Sequence, residues 1–225
     1  MPGWPVVAWL IGWATVAGLD LASVLQALLS RPLVVGAGAG WLLGDPENGL
    51  RVGALLELFA LDVVPVGSSS YPDFGAATVG AVILAGAGPW QETLGIATGF
   101  GLGCAALAGA TLPITRRINA RTLRAYGDRL TGGDARAVQL VHWAGLGHDS
   151  IRSLVVAVIA VAVAFAVRMA GWLPAGDPGL ALTAVAAGGA GWAVAHGATA
   201  SARSGPRWRW ALAGLGTGLA VVLTW

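Results

Sequence analysis

Two apolar runs near the start of the chain, residues 33–43 and 52–64, are each too short to cross a bilayer, and this constrains the fold more than any other feature. A spanning helix needs about 20 apolar residues. The polar corner Gly44-Asp45-Pro46-Glu47-Asn48 joins the two runs. Backbone that is not helical survives at membrane depth only where protein buries it or where it lines a polar cavity. The pattern therefore predicts a broken intramembrane segment.

The composition excludes a soluble globular domain. Hydrophobic residues make up 56% of the 225 residues and charged residues 11%, whereas soluble domains are about 25% charged. The mean hydropathy is +0.72. We therefore expect an all-α, polytopic integral membrane protein, a single membrane domain over residues 1–225, whose broken or re-entrant helices form a site at mid-membrane.

Charge and cysteine content exclude two further classes. All 13 basic residues are arginines and the net charge is +2, without the basic groove and interleaved aromatics of a nucleic-acid-binding protein. The single Cys104 cannot form a disulfide or a cysteine metal site within one chain. No metal and no cofactor are expected, and Cys104 is interpreted as a small buried residue.

Glycines recur at four-residue steps inside the apolar runs, which places small residues on one face of a helix. Such spacing allows helix backbones to approach closely. A genome rich in G and C, which favours Gly, Ala and Arg, is a competing explanation. The steps are Gly36, Gly40, Gly44; Gly49, Gly53; Gly95, Gly99, Gly103; and Gly214, Gly218.

The remaining apolar runs predict further helices. Residues 4–29 lack a basic n-region and a small-residue cleavage site, so they are expected to be a retained first helix, ended by Arg31-Pro32. Residues 74–88 and 93–114 predict an antiparallel pair turning at Pro89. Residues 153–173, 179–202 and 207–225 predict three more spans.

Clusters of arginine set the expected orientation, because cytoplasmic loops are enriched in Lys and Arg. The chain then divides into a broken-helix region (28–115), a cytoplasmic arginine-rich connection (116–150) and C-terminal helices (151–225). Whether the arginines dock soluble proteins or form a solvated helix stays open. They are Arg116, Arg117, Arg121, Arg124, Arg129 and Arg136, followed later by Arg203, Arg207 and Arg209.

Polar residues in and after the broken segment are the candidate site. An Asp at mid-membrane costs about 2.5 kcal/mol or more, so Glu57 and Asp62 need a role. Interrupted hydrophobic segments of this kind point to a transporter's binding site. An alternative for Glu57 is an ion pair with Arg31 or Arg51 that holds the broken helices together. Asp45 and Glu47 have a sufficient structural explanation as N-cap and first-turn residue of a helix starting at Pro46.

The ordered pattern Arg31-Pro32-Leu33, Gly44-Asp45, Gly49, Gly53-Ala54, Leu56-Glu57-Leu58, Leu61, Pro65-Val66-Gly67 and Pro72-Asp73 resembles the signature region of a known family. That family is membrane component IIC of the mannose, fructose and sorbose phosphotransferase systems (PTS) of bacteria. The resemblance runs over residues 28–173, includes a histidine followed by small residues in 138–152, and is weak beyond 179.

The resemblance implies a sugar permease subunit of a phosphoenolpyruvate-dependent PTS in the bacterial inner membrane. It would bind a hexose or related sugar, move it across the bilayer and present it for phosphorylation by soluble components IIA and IIB. It would not itself be an enzyme. Membrane component IID would be its partner in an oligomer, commonly three-fold.

A sugar-binding role fits the candidate residues. Carboxylates accept hydrogen bonds from sugar hydroxyls, serine hydroxyls both donate and accept, and glycine lets backbone approach a ligand. Tyr71 or Trp41 could cover a pyranose face. The predicted substrate-binding residues are Glu57, Asp62, Pro65, Gly67, Ser68, Ser69, Ser70 and Asp73.

Three other functions remain open. Asp62 departs from the family pattern and the chain ends sooner than usual, which is compatible with a scaffold or regulatory subunit that no longer transports. An unrelated small-solute carrier is a second alternative. A membrane enzyme is the weakest, because no nucleophile and base are paired. His142 and His148 lack metal-ligand spacing, and a structural role competes with proton transfer for each.

Overall fold

In the computed structural model, which describes residues 2–21, 23–24, 26–61, 63 and 71–171, every regular element is a helix, and this part of the chain contains no strand. The predicted all-α fold class is confirmed. The spans predicted at 179–202 and 207–225 lie outside the described residues. The helices are α1 (Trp4–Asp20), α2 (Pro32–Leu43), α3 (Pro46–Ala60), α4 (Phe74–Ala85), α5 (Trp90–Ala125), α6 (Gly127–Thr131) and α7 (Ala135–Ala170).

Helix α1 ends at Asp20, so the prediction of a helix to residue 29 is wrong. The carboxylate of Asp20 accepts hydrogen bonds from the backbone amides of Ala27 at 2.7 Å and Ser30 at 2.9 Å. In the loop after α1, Gln26 and Leu28 have positive φ angles of 50° and 64°. An aspartate at the helix end thus organises a loop from residues that were apolar enough to continue the helix.

Helices α2 and α3 form the expected broken segment. Gly44 ends α2 in the left-handed region at φ 76°. Asp45 caps α3 by accepting from the Asn48 amide at 3.2 Å, and Pro46 and Glu47 occupy the first turn. The cap prediction is therefore confirmed.

Glycines bring the backbones of α2 and α3 into direct contact. A Cβ added to Gly40 would lie 2.8 Å from Gly49 Cα, and one added to Gly53 would lie 2.7 Å from Pro32 O. Real Cβ atoms do not make contacts this short, so only glycine fits. The close-packing prediction is confirmed for this pair of helices.

On α5 the described residues do not bear the same prediction out at two of its three glycines. Added Cβ atoms at Gly99 and Gly103 would meet no described atom within 4 Å. Gly101 packs instead, since its Cβ would lie 2.9 Å from Leu56 Cδ1, and Gly109 abuts Tyr71 O. The four-residue spacing shows that these glycines share one face of α5. It does not show which face of α5 packs against the other described helices. Gly214 and Gly218 lie outside the described residues.

Helix α4 is the centre of the bundle, and all of its residues are buried. A helix that is apolar all round is expected to be enclosed by protein, and α1, α2, α3, α5 and α7 contact it. The predicted antiparallel pair is confirmed: the Asp73 amide donates to Ala105 O at 3.0 Å, and Thr93 Oγ1 donates to Ala85 O at 2.8 Å.

Helices α5 and α7 each contain 36 residues, and among the described residues they are the two helices long and apolar enough to cross a membrane. At about 1.5 Å per residue each is about 54 Å long, well beyond the hydrocarbon thickness of about 30 Å. Residues 116–150 are therefore largely helical, because α5 continues to Ala125 and α7 begins at Ala135. The apolar signal marked only part of each helix.

Candidate functional site

A polar cavity of about 640 Å³ lies where the broken helices end. The end of α1 with its following loop, the start of α2, the end of α3, the start of α4, and α5 and α7 all contribute to its wall. Its volume is typical of small-molecule sites. The polar residues of the wall are Asp20, Ser23, Gln26, Ser30, Arg31, Tyr71, Thr115, Arg116, Asn119 and Asp149.

An ion pair joins the two broken helices beside this cavity. Arg31 Nε donates to Glu57 Oε1 at 2.6 Å, and Glu57 Oε2 accepts from the Leu33 amide at 3.2 Å. Arg51 instead pairs with Glu47 and stacks over Trp90 at 4.4 Å. The alternative expected for Glu57, an ion pair with Arg31 that ties α2 to α3, is confirmed.

A buried charge network lies behind the part of the wall formed by Asp149, Pro72 and Phe74. Arg152 Nη1 donates to Asp73 Oδ2 at 2.9 Å and to Thr111 Oγ1 at 3.3 Å. Arg152 Nε donates to Asp149 Oδ1 at 3.1 Å. The side chains of Arg152 and Asp73 are only 5% and 2% exposed. Burial of a charge without a partner is costly, so these groups hold α4, α5 and α7 in one arrangement.

Of the predicted site residues, Glu57 and Asp73 are described, and both lie behind the wall. The wall itself carries their partner Arg31 and the neighbours of Asp73, Pro72 and Phe74. Asp73 caps α4 by accepting from the Gly75 amide at 3.2 Å. The other predicted site residues, Asp62, Pro65, Gly67, Ser68, Ser69 and Ser70, lie outside the described residues.

Of the two aromatics considered for a sugar face, Tyr71 lines the cavity and Trp41 is 75% exposed on α2. The Arg116 guanidinium lies 5.5 Å from the Tyr71 ring centroid. Val63, on the other side of the undescribed segment 64–70, also lines the cavity. Both described neighbours of that segment thus reach the wall.

Sequence reasoning missed most of the polar wall. Asp20, Gln26, Asn119 and Asp149 come from three separate regions that only the fold brings together. A signal was available for Asp20 and Gln26, since they interrupt an otherwise apolar first span. Asn119 and Asp149 follow helix segments rich in arginine or glycine and carry no distinguishing spacing.

His142 and His148 are not among the residues that line the cavity. His148 Nδ1 is 2.7 Å from Asn119 Oδ1, so this side chain supports a wall residue from behind. His142 contacts the ring of Trp143 edge to face. In the described ranges, no three His, Cys, Asp or Glu side chains converge as metal ligands.

Comparison with known proteins identifies the family. The family model of the PTS sorbose-specific IIC component matches residues 6–193. The mannose-specific EIIC component of Escherichia coli (strain K12) is 31% identical over 148 residues, 65% of this chain and 54% of that protein. The sorbose-specific EIIC component of Klebsiella pneumoniae is 29% identical over 149 residues, 65% of this chain and 54% of that protein.

The fructose permease IIC component of Bacillus subtilis (strain 168) is 31% identical over 147 residues, 63% of this chain and 54% of that protein. The chain thus spans about half the length of the curated relatives it matches. The family match also extends past both ends of the region, 28–173, in which the sequence pattern was recognised.

Two solved structures share the fold. One, described as a membrane protein, has a TM-score of 0.71 at 22% identity and covers 100% of this chain and 96% of its own. The other, the mannose transporter ManYZ in complex with microcin E492, has a TM-score of 0.63 at 21% identity, covering 99% and 96%. With the family match over residues 6–193, and with two described helices long and apolar enough to cross a membrane, the chain belongs to the sorbose-specific IIC component family of the PTS and is a membrane protein.

Proposed function

We propose that this chain is the sugar permease subunit IIC of a bacterial PTS, a multi-pass protein of the inner membrane that binds and translocates a hexose or related sugar. The observation that carries the proposal is the polar cavity of about 640 Å³ at the ends of the broken helices, in a chain of the IIC family. Hydroxyl groups need both donors and acceptors, and the wall offers carboxylate, amide, guanidinium and hydroxyl groups together.

The position of the cavity supports presentation of the sugar to the cytoplasm. Arg152 lies beside the start of α4, and Arg168 donates to Ile83 O near its end. These two positions are about 24 Å apart along α7, at about 1.5 Å per residue. The cavity is at the Arg152 end of this apolar layer, towards the arginine-rich ends of α5 and α7. By the positive-inside rule that end is cytoplasmic.

The carboxylates behind the wall have a positioning role in this proposal. Glu57 holds Arg31 at the cavity through their ion pair, and Asp73 holds Arg152 beneath Asp149. We retain Asp62, Pro65, Gly67, Ser68, Ser69 and Ser70 as proposed contacts to the sugar, because hydroxyl and backbone groups suit it. The Tyr71 ring would cover one face of the pyranose.

The proposed partners follow from the family. Membrane component IID would form the translocating unit with this chain, and soluble IIA and IIB would carry and transfer the phosphoryl group. This chain would bind and move the sugar without performing chemistry. One group of helices in the translocating unit would shift relative to another, so that the sugar site opens alternately to the outside and to the cytoplasm.

Sugar uptake with the genomic partners tests the proposal. Cells expressing this chain with IIA, IIB and IID are given a panel of labelled hexoses and amino sugars, and uptake and phosphorylation are measured. We expect Glu57→Gln and Asp73→Asn to lower uptake at least about tenfold, which corresponds to about 1.4 kcal/mol. The first removes the carboxylate that pairs with Arg31, and the second removes one of the two carboxylates that pair with the buried Arg152.

Glu47→Gln is the matched control, since it breaks an exposed Arg–Glu pair on the same helix α3 and should leave uptake within about twofold, as exposed pairs contribute little. Absence of uptake for the whole panel, with the complex assembled in the membrane, would overturn the permease function. A non-transporting scaffold, to which the unusual Asp62 points, would then take its place.

A further inference from the structure

Two carboxylates of the described residues reach the cavity wall, Asp20 and Asp149, and they are held in different ways. Both oxygens of Asp20 accept from backbone amides of the loop, those of Ala27 and Ser30. Asp20 is 2% exposed. Its hydrogen bonds therefore fix the course of the loop.

Among the described residues, Asp149 is held by side chains. Oδ1 accepts from Arg152 Nε at 3.1 Å, and Oδ2 accepts from the Ser23 hydroxyl. A carboxylate can accept about four hydrogen bonds, so these two bonds within the described part of the chain leave capacity on both oxygens of a residue that is 5% exposed. Asp149 is thus a braced acceptor on the wall of a polar cavity.

The brace is rigid because Arg152 is fixed in turn. Its Nη1 donates to Asp73 at the start of α4 and to Thr111 on α5. Three helices therefore determine where the guanidinium lies, and the guanidinium determines where the carboxylate lies. Charge-assisted hydrogen bonds of this kind are the stronger ones in proteins.

The partner of Oδ2 indicates the chemistry of a ligand. Ser23 belongs to the loop over the cavity, and its donor is an alcohol, the same functional group that a sugar presents. Ser23 and Asp149 both line the cavity, so an alcohol already donates to Asp149 between two residues of the wall. A hydroxyl of the sugar could take this place or share the acceptor.

We propose that Asp149 is the carboxylate that binds a sugar hydroxyl, and that Arg152 is a positioning residue that aims it. The inference rests on the proposed permease function and adds to it the residue that selects among sugars. The Ser23 hydroxyl competes with the sugar for the same acceptor.

Deoxy sugars test this assignment hydroxyl by hydroxyl. Binding of the transported hexose and its single-deoxy analogues is measured by competition on membranes containing the full chain and its IID partner. With the wild type, we expect one analogue to bind about 10- to 100-fold more weakly because it lacks the hydroxyl that Asp149 accepts.

With Asp149→Asn, that one difference should shrink to less than about threefold, while the differences for the other analogues persist. Asp20→Asn is the matched control from the same wall. Because Asp20 holds the loop, its substitution should weaken all the analogues by one common factor.

Two further variants separate positioning from folding. Arg152→Lys keeps the charge and loses the fixed fork, so it should reduce the same hydroxyl-selective difference only in part. Ser23→Ala removes the competing alcohol and should raise sugar affinity by about two- to fivefold, whereas a purely structural Ser23 would lower it when removed. The Ser23 result is decisive even if Asp149→Asn fails to accumulate.

The possible outcomes distinguish failure of the Asp149 assignment from failure of the permease function. If the wild type binds a sugar but Asp149→Asn weakens every analogue equally, the assignment of Asp149 is overturned and the permease function stands. If the assembled wild type binds none of the hexoses, the function is overturned, and the assignment of Asp149 with it.

Discussion

At the scale of single residues, Asp134 determines where α7 begins. Its carboxylate accepts from the amides of Arg136 at 2.9 Å and Ala137 at 3.3 Å, and from Arg129 Nε at 2.8 Å. The hydrogen bond from Arg129, followed by that from the Ala137 amide, lowers the pKa of Asp134 below its ordinary value of 3.8. The residue lies in the corner between α6 and α7, outside the predicted membrane layer.

We expect the carboxyl of Asp134 to titrate below pH 3.8, measured by carbon NMR of labelled aspartates in micelles. Because the folded pKa is the lower one, the stabilisation of this corner is complete above the unfolded pKa and is lost as pH falls through the folded pKa. Arg129→Gln should raise the pKa towards 3.8, since it removes the largest cause. A midpoint at or above 3.8 in the wild type would contradict the hydrogen bonding described.

Local contacts between residues could be predicted from the sequence, and distant ones could not. The Asp45 cap and its Pro46 follow from their neighbours. Asp73 and Arg152 are 79 residues apart, and no spacing rule joins them. Glu57 had two candidate partners in the sequence, Arg31 and Arg51. It pairs with Arg31 because the antiparallel packing of α2 and α3 brings the start of α2 beside the end of α3.

At the scale of elements, the packing of α2 on α3 depends on the absence of side chains. Gly40 and Gly49 meet backbone to backbone, as do Gly53 and Pro32. The two helices can pack closely here, and no side-chain conformational entropy is lost because glycine has no side chain. The contact also leaves no space for a methyl group.

Gly40→Ala should therefore lower the free energy of unfolding by about 1–3 kcal/mol, the usual cost of overpacking. Unfolding by detergent titration in mixed micelles, followed by circular dichroism, measures the change. Gly99→Ala is the control, because its Cβ would meet no described atom within 4 Å; there we expect no loss, or a gain of up to about 1 kcal/mol from helix propensity. Equal losses at both positions would show that backbone contact is not what Gly40 provides.

The helices themselves were largely predictable, because caps and prolines mark their ends. Pro32, Gly44 and Pro46 delimit α2 and the start of α3 as the sequence indicated. Helix α1 was not, since residues 21–29 remain apolar beyond its true end at Asp20. The hydrogen bonds from Ala27 and Ser30 to Asp20 become visible only once the chain has folded back.

At the scale of the whole molecule, α5 and α7 connect the apolar layer to the arginine-rich end. Each of these 36-residue helices is longer than the bilayer is thick. Their far segments carry Arg121, Arg124 and Arg136, which are exposed. The orientation of the cavity depends on the side of the membrane to which these arginines belong.

Cysteine labelling tests this orientation. In a Cys104→Ala background, Gly88→Cys at the turn before α5 should react with an impermeant maleimide added outside intact spheroplasts. Arg124→Cys near the other end of α5 should react only after permeabilisation, because the positive-inside rule places it in the cytoplasm. The reverse labelling pattern would place the cavity on the outer side and remove the support that its position gives to cytoplasmic presentation.

The glycine contacts between α2 and α3 have a mechanical consequence. At an interface of flexible side chains, two helices can shift by changing rotamers. Where α2 and α3 touch through backbone atoms, no side chain can rearrange to allow such a shift. The pair α2 and α3 is then a rigid unit, about 18 Å long, that extends from Asp45 at one end to Arg31 on the cavity wall at the other. A conformational change that displaces Arg31 is therefore expected to displace Asp45 as well. A spectroscopic label near Asp45 would then detect movement of the cavity wall from outside the cavity.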